Sequence, residues 1–400
     1  MSTMWGAIQW PRGLDTEQFL REYWQRKPLL IRGAFRDFHA GLSADDVAGL
    51  ALEEEADSRL ITGNQQIRDW QLRHGPFDET VLTGLPERDW TLLVCGLEHW
   101  WPPAADLLGA FRFLPDWRID DLMVSVAGVG GSVGPHVDQY DVFLLQAAGQ
   151  RHWSIARDYP DKLIPNLDLA ILEQFEPEQD WSLEPGDMLY LPPGVAHHGV
   201  AGGAETCMTF SIGFRAPSAQ EWLDKLIEPL SEHLAPGQRY RDPGQHNRSP
   251  AYLDGQQVEQ LRALLASALD DPAQFRRIAA TALTLPTEAP TDAHEPTPER
   301  IFSQRLAAGD QLRRSTRRAL LLDHGQDDVE LISGEHRLPL PRALAELLLD
   351  SPANTSAFSV RHGLRPAFGQ QQLSKWLSDR THRQSIRACL NHGILEWTND

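Results

Sequence analysis

Two short segments hold side chains that can grip a metal ion from one side. The first is Gly130-Gly131-Ser132-Val133-Gly134-Pro135-His136-Val137-Asp138, and the second is Gly186-Asp187-Met188-Leu189-Tyr190-Leu191-Pro192-Pro193-Gly194-Val195-Ala196-His197. Alternate residues of an extended strand share a face, so His136 and Asp138 can both reach one ion. Two imidazoles and one carboxylate fill three corners of an octahedron and leave three open. That is the facial arrangement of non-haem Fe(II) sites, whose free positions take a cosubstrate and oxygen. A His-x-Asp pair alone carries little weight, since about one is expected by chance in a chain with 15 histidines. It is, however, the only His-x-Asp/Glu in the sequence, and the second segment adds an independent spacing.

That second spacing (Gly, five residues, Pro, one residue, Gly, two residues, His) resembles the second motif of the cupin superfamily. Gly130 ahead of His136, with Gly149 closing the hairpin, resembles the first. The first motif departs from the cupin pattern at two positions: Asp138 stands where a second histidine is usual, and Val142 where a glutamate is usual. The resemblance therefore implies a three-ligand site of the 2-oxoglutarate (JmjC-type) branch, and it speaks against the four-ligand dioxygenase, isomerase and seed-storage branches. It also selects His197 over His198, because a slip of one residue in a strand turns the side chain to the other face. His198 is then a residue of the surface or of the ligands' surroundings.

Strands must present these groups. Residues 122–126 read as a strand that puts Asp121, Met123 and Ser125 on one face. The glycine-rich loop 128–134 has the wrong spacing for a nucleotide cradle and is followed by a strand rather than a helix, so its glycines are expected to let the backbone pass close to a ligand. One strand over 136–146 would place His136, Asp138, Tyr140 and Val142 on one face. After a turn at 147–150, Arg151 opens the next strand. A bidentate guanidinium suits the far carboxylate of a metal-chelated keto acid, whereas an arginine at a hairpin is by itself better read as a surface residue. Earlier, a helical pattern over 19–24 is ended by Pro28, and Leu29-Leu30-Ile31 reads as a buried strand. The tryptophans Trp90, Trp100, Trp101 and Trp117 are expected to pack outside the barrel.

Beyond the barrel, residues 218–234 form an amphipathic helix with Ser218 and Glu221 as a capping box; Trp222, Leu223, Leu226, Ile227, Leu230 and Leu234 line its apolar face. A second Leu-rich helix lies near 256–269, and the pair either packs on the barrel or, as preferred here, makes a dimer. Four prolines across 286–298 mark a linker. After it come helix signals at 305–322, short strands at 330–332 and 337–340, and helices at 341–349 and 370–390. This mixture suggests a winged-helix-like module. Arg313, Arg314, Arg317 and Arg318 can be read as a phosphate-binding cluster or, preferably, as a solvated helix face. The expected organisation is a catalytic domain over 1–215, a helical dimerisation region over 216–285, a linker over 286–299 and the C-terminal module over 300–400.

Bulk properties narrow the partners. The chain has 400 residues, 41% hydrophobic and 23% charged, an ordinary balance for a globular protein with more than one domain. No apolar run reaches the roughly 18 residues that span a bilayer, and the first residues lack a basic-then-apolar signal. Three scattered cysteines make neither a disulfide framework nor a CxxC site, which fits a reducing cytoplasm. The net charge of −19 is uneven: residues 301–400 carry +2, leaving −21 for residues 1–300. Such a chain repels a phosphate backbone and attracts a basic protein, so nucleic-acid binding is not expected.

Taken together, HVDQYD (136–141), GQRHW (149–153), the PPGVAHHG turn (192–199), the Leu-rich helices and the C-terminal module resemble the bacterial ribosomal oxygenases. These are JmjC-type hydroxylases of an arginine in large-subunit ribosomal protein number sixteen. The resemblance implies an α+β fold built on a double-stranded β-helix, a homodimer, Fe(II), and 2-oxoglutarate and oxygen as cosubstrates, with hydroxyl placed on the arginine β-carbon. It assigns His136, Asp138 and His197 to the metal, Arg151 and Ser125 to the keto acid, and Asp121, Met123, Tyr140 and Ser211 to the target arginine. Two other readings stay open on the residues alone. One is the same chemistry on another protein or a small molecule; the other is a metal-binding cupin sensor joined to a DNA-binding winged helix.

Overall fold

A computed structural model describes residues 6–64, 69–101, 103–234, 237–242, 255–285, 296–314, 319–323, 328–349 and 370–397. Its contacts divide the chain into two compact units, with the boundary between Ala216 and Pro217.

The first unit is built on β1 (Leu29–Ile31), β2 (Ser58–Thr62), β3 (Gln71–His74), β4 (Trp90–Val94), β5 (Ile119–Ala127), β6 (His136–Val137), β7 (Asp141–Ala148), β8 (Gln150–Ala156), β9 (Gln179–Leu183), β10 (Met188–Leu191), β11 (Ala196–Gly202) and β12 (Cys207–Phe214). They form an eight-stranded sheet in the order β1-β10-β7-β12-β5-β4-β2-β3 and a four-stranded sheet in the order β6-β11-β8-β9. Every pairing between these strands is antiparallel. Val142, Leu144, Leu189 and Leu191 of the larger sheet pack with Trp153, Ile155 and Leu183 of the smaller one, so the two sheets close on a shared interior. This is the expected double-stranded β-helix.

The opposite face of the large sheet carries a separate apolar layer. Leu122, Val124, Val126, Phe143, Leu145, Met188, Tyr190, Phe210, Ile212 and Phe214 pack there against Phe19, Trp24, Leu97, Leu107 and Phe111. Rings meet closely: Phe19 and Tyr190 at 5.0 Å between centroids, Phe111 and Phe143 at 4.9 Å. The helix Thr16–Glu22, which presents Phe19, starts on a capping box between Asp15 and Gln18. Trp101 joins this layer and Trp90 packs against it. Beneath it, the fully buried Asp141 accepts hydrogen bonds from Tyr190 (2.6 Å), Gln25 (3.2 Å) and Arg118 (3.1 Å), which offset its desolvation.

One expectation fails where it touches the site. Residues 136–146 are not one strand: β6 ends at Val137 in the small sheet, and β7 begins at Asp141 in the large one. Val142 therefore belongs to a different sheet from His136, and it is buried in the interior beside Leu144 and Leu189. The cause is the crossing between sheets. Asp141 is anchored from below, while the Asp138 carbonyl accepts from the Gly194 N–H at 2.8 Å, so the backbone bends between them.

The second unit contains helices Ala219–Ser231, Gly255–Asp270, Pro272–Thr284, Glu299–Ala308, Arg342–Leu349, Gln370–Leu377 and Arg380–Asn391. It also holds β13 (Leu312–Arg314), β14 (Leu320–Asp323), β15 (Asp328–Ser333), β16 (His336–Pro341) and β17 (Leu395–Trp397). The Ser218–Glu221 capping box is present. The helix read across 305–322 is not: it stops at Ala308 because Gly309 takes the left-handed conformation (φ +98°), and strands follow. Arg313 and Arg314 consequently lie on β13, and Arg317 and Arg318 fall outside the described residues. The helix read across 370–390 is two helices, restarted by Asp379, whose carboxylate accepts from the N–H groups of Thr381 (2.8 Å) and His382 (2.9 Å). Most of the Pro-rich segment, residues 286–295, lies outside the described residues.

Candidate metal centre

The short pairing of β6 with β11 sets His136 directly opposite His197, with ring centroids 4.2 Å apart. Asp138 follows at the bend. Its Oδ1 lies 3.9 Å from His136 Nε2 and its Oδ2 lies 3.5 Å from His197 Nε2. Each separation is less than twice a metal–nitrogen bond of about 2.1 Å, so one ion can bond to all three. Among the described residues this is the one group of three or more such side chains whose ligand atoms lie within 4.8 Å of one another.

The imidazoles are also set for coordination. Nδ1 of His136 lies 2.9 Å from the Gly134 carbonyl, and Nδ1 of His197 lies 3.0 Å from the Val195 carbonyl. A carbonyl can only accept, so both Nδ1 atoms carry the proton and both Nε2 lone pairs are free for a metal. Burial, with His136 alongside, pushes the His197 pKa down to about 4, which keeps that ring neutral. His198 points away from the triad: it meets Phe175 edge-on at 6.0 Å, and burial pushes its pKa down to about 4.

Arg151 is not a surface residue. It is 3% exposed, its Nε donates to the Cys207 sulfur at 3.4 Å, and its Nη2 is buried with no hydrogen-bond partner among the described residues. A buried guanidinium nitrogen without a partner of its own is suited to bind a carboxylate. On β8, Arg151 stands opposite Ala201 while Ile155 stands opposite His197, so the arginine lies four residues, about 13 Å of strand, from the metal-ligand level. Trp153 fills the interval, its ring centroid 5.9 Å from that of His197 and 5.7 Å from the guanidinium carbon. Gly199 makes room for it, since a Cβ there would fall 2.6 Å from the indole. The residues present thus fit both a facially bound ion and an anchored dicarboxylic keto acid.

The nominated substrate residues come together on the inner side of β5 and β12. Met123 pairs with Ser211 across the ladder. A Cβ on Gly213 would lie 3.6 Å from Asp121 Oδ1 and 3.7 Å from the Tyr140 ring, so these two line one place. Tyr140 also hydrogen-bonds Asp138, and burial next to that carboxylate raises its pKa and keeps it a donor. Burial, with Glu98 and Asp120 close by, pushes the Asp121 pKa up to about 6, although the Gly96 N–H donates to it at 3.3 Å. Ser125 is buried, and its hydroxyl donates to the Thr209 carbonyl at 3.4 Å.

The glycine-rich loop serves a different purpose from the one expected. A Cβ on Gly131 would fall 2.1 Å from the Trp90 carbonyl oxygen, and one on Gly128 would fall 2.5 Å from its indole nitrogen. The backbone approaches protein there, and Gly130 and Gly131 hydrogen-bond to Ala201 of β11. Sequence reasoning also passed over Cys207, Gln146 and Thr209, which hold one another on the interior face. Alternation along β12, counted back from Ser211, would have found two of them.

Comparison with known proteins agrees with this geometry. A JmjC-domain family model matches residues 106–222, and an AraC-like ligand-binding-domain model matches residues 175–286. The barrel is thus of the JmjC class. The Escherichia coli ribosomal protein uL16 3-hydroxylase is 40% identical over 273 residues, which cover 68% of this chain and 70% of that protein. The crystal structure of E. coli ycfD superposes with a TM-score of 0.79 at 33% identity, covering 98% of this chain and 100% of that one. A structure of the same E. coli protein, described as a ribosomal oxygenase in complex with cobalt and 2-oxoglutarate, gives 0.76 at 32% identity over 98% and 100%. The chain belongs to the JmjC-type ribosomal oxygenases.

Proposed function

We propose that this chain is an Fe(II)- and 2-oxoglutarate-dependent oxygenase that hydroxylates the β-carbon of an arginine in a large-subunit ribosomal protein of the uL16 type. The observation that carries the proposal is the interior of the barrel. Three ligand atoms lie within 4.8 Å there, and a buried arginine with an open nitrogen sits further along the same sheet.

His136, Asp138 and His197 hold the metal from one side. Bound ferrous iron supplies the oxygen chemistry that couples decarboxylation of the keto acid to hydroxylation of a C–H bond. Arg151 binds the far carboxylate of 2-oxoglutarate through a charge-assisted bond in a water-poor pocket, with Ser125 on the adjoining face. Trp153 excludes water between the two ends. Asp121 pairs with the substrate guanidinium, while Met123, Ser211 and Tyr140 bracket its side chain; Tyr140 also steadies Asp138. The −21 charge of residues 1–300 favours a basic ribosomal protein over nucleic acid, and that substrate makes the cytoplasm the place of action.

The regions after the barrel complete the reading. Leu223 and Ile227 on one helix, and Val258, Leu261, Leu265 and Leu269 on the next, are large apolar side chains left exposed. These two helices, within the 216–285 region, are the dimer contact, since such a patch suits burial against a second copy. The module over 300–400, joined through 286–299, is winged-helix-like: three antiparallel strands, β14 to β16, beside several helices. Ile227→Glu should convert a sedimenting dimer to monomer with its catalytic domain intact.

Anaerobically iron-loaded protein should consume 2-oxoglutarate faster with purified uL16 than without it, and peptide mass analysis should find one added oxygen on an arginine. Turnover stimulated by a small molecule, with uL16 left unmodified, would move the substrate assignment.

A further inference from the structure

Cys207 is completely buried at the start of β12, and its sulfur receives two hydrogen bonds. Arg151 Nε donates at 3.4 Å and Gln146 Nε2 donates at 3.3 Å. Gln146 is itself fixed, because its amide also donates to the Ala148 carbonyl at 2.7 Å and its Oε1 accepts from the Thr209 hydroxyl at 3.1 Å. The backbone adds a second restraint. Gly149, which turns β7 into β8 at φ +59°, lies so close that a Cβ would fall 3.0 Å from the Cys207 Cα. The hairpin that carries Arg151 is therefore pressed against the residue that receives its Nε.

A guanidinium has five donors in a rigid plane, so fixing Nε fixes the directions of the other nitrogens. With Nε on Cys207, the nitrogen left buried and open is Nη2. We infer that Cys207, braced by Gln146, is a positioning residue that orients Arg151 for the far carboxylate of a dicarboxylic keto acid and thereby sets the enzyme's preference for a dicarboxylate. This rests on the reading of Arg151 given above. Sulfur is well chosen for this position. As a weak acceptor it directs Nε without neutralising the guanidinium as a carboxylate would.

The test is calorimetric binding of 2-oxoglutarate and of 2-oxobutyrate, which keeps the keto-acid end but lacks the far carboxylate. The full chain is used, with manganese(II) in place of iron and without oxygen. Cys207→Val, of similar volume but with no acceptor, should bind 2-oxoglutarate about tenfold more weakly and 2-oxobutyrate within about twofold of the unmodified chain. Cys207→Ser should recover most of the loss. Should the valine variant fail to fold, Cys207→Ala takes its place under the same expectation. Unchanged 2-oxoglutarate binding in the valine variant, alongside loss in Arg151→Met, overturns the role of Cys207 and leaves that of Arg151 standing. Equal weakening of both keto acids overturns it too, as general damage to the barrel. If the unmodified chain does not distinguish the two acids, the Arg151 reading falls first.

Discussion

Along β12, Met208, Phe210, Ile212 and Phe214 turn to the outer apolar layer, while Cys207, Thr209 and Ser211 turn to the barrel interior. One strand thus belongs to two environments at a spacing of one residue. The outer set makes area-proportional contacts that tolerate sliding and repacking. In the inner set Cys207 and Thr209 make directed bonds to named partners, and these run on to Arg151. Stability is concentrated on one face and chemistry on the other, so substitutions should separate the two.

The sharpest way to break this comparison is at the triad. His136→Ala or Asp138→Ala should abolish both succinate formation and substrate hydroxylation, with circular dichroism melting little changed, since both side chains are only partly buried. A triad variant that unfolds would show that the interior also carries the fold. The converse is Phe210→Ala, which should cost about 3–5 kcal/mol in urea unfolding, because its ring is fully buried in the outer layer.

A smaller effect comes from acid. Burial holds the His197 pKa at about 4 against an ordinary value of 6.5. Between those values the unfolded chain binds the proton more readily than the folded one. Metal-free protein should therefore lose stability as pH falls from 6.5 towards 4, by on the order of 3 kcal/mol from this residue. Urea midpoints across that range, compared with His197→Gln, isolate the contribution; parallel curves for the two proteins would refute it. The smallest effect concerns Asp121, with a pKa of about 6. Its carboxylate form, the one that can pair with the guanidinium of the proposed substrate, prevails above that pH and is lost below it. The kcat/KM for the protein substrate should fall by up to about tenfold per unit below pH 6, and Asp121→Asn should flatten that profile at a lower level.

The legible parts were those governed by local rules. His136, Asp138 and His197 announced themselves through spacing, because a metal demands fixed donor types and strands repeat every two residues. The capping box at Ser218 and Glu221 and the face of β5 followed from equally local rules. What misled was continuity. The strand over 136–146 breaks because its two ends pair with different sheets, and the helix over 305–322 breaks because Gly309 adopts a left-handed turn. The glycine loop was read as clearance for a ligand, yet its close neighbour is Trp90, some forty residues earlier in the chain.

The sequence by itself therefore determined which side chains can bind the metal, the class of barrel that carries them and the acidity that suits a basic partner. Only the tertiary structure decided that Arg151 is buried with one nitrogen open, and that Cys207 and Gln146 stand behind it. The reason is distance along the chain. Periodicity records which face a residue takes, but hydrogen bonds between residues 56 or 61 positions apart depend on how the strands are ordered in the closed barrel.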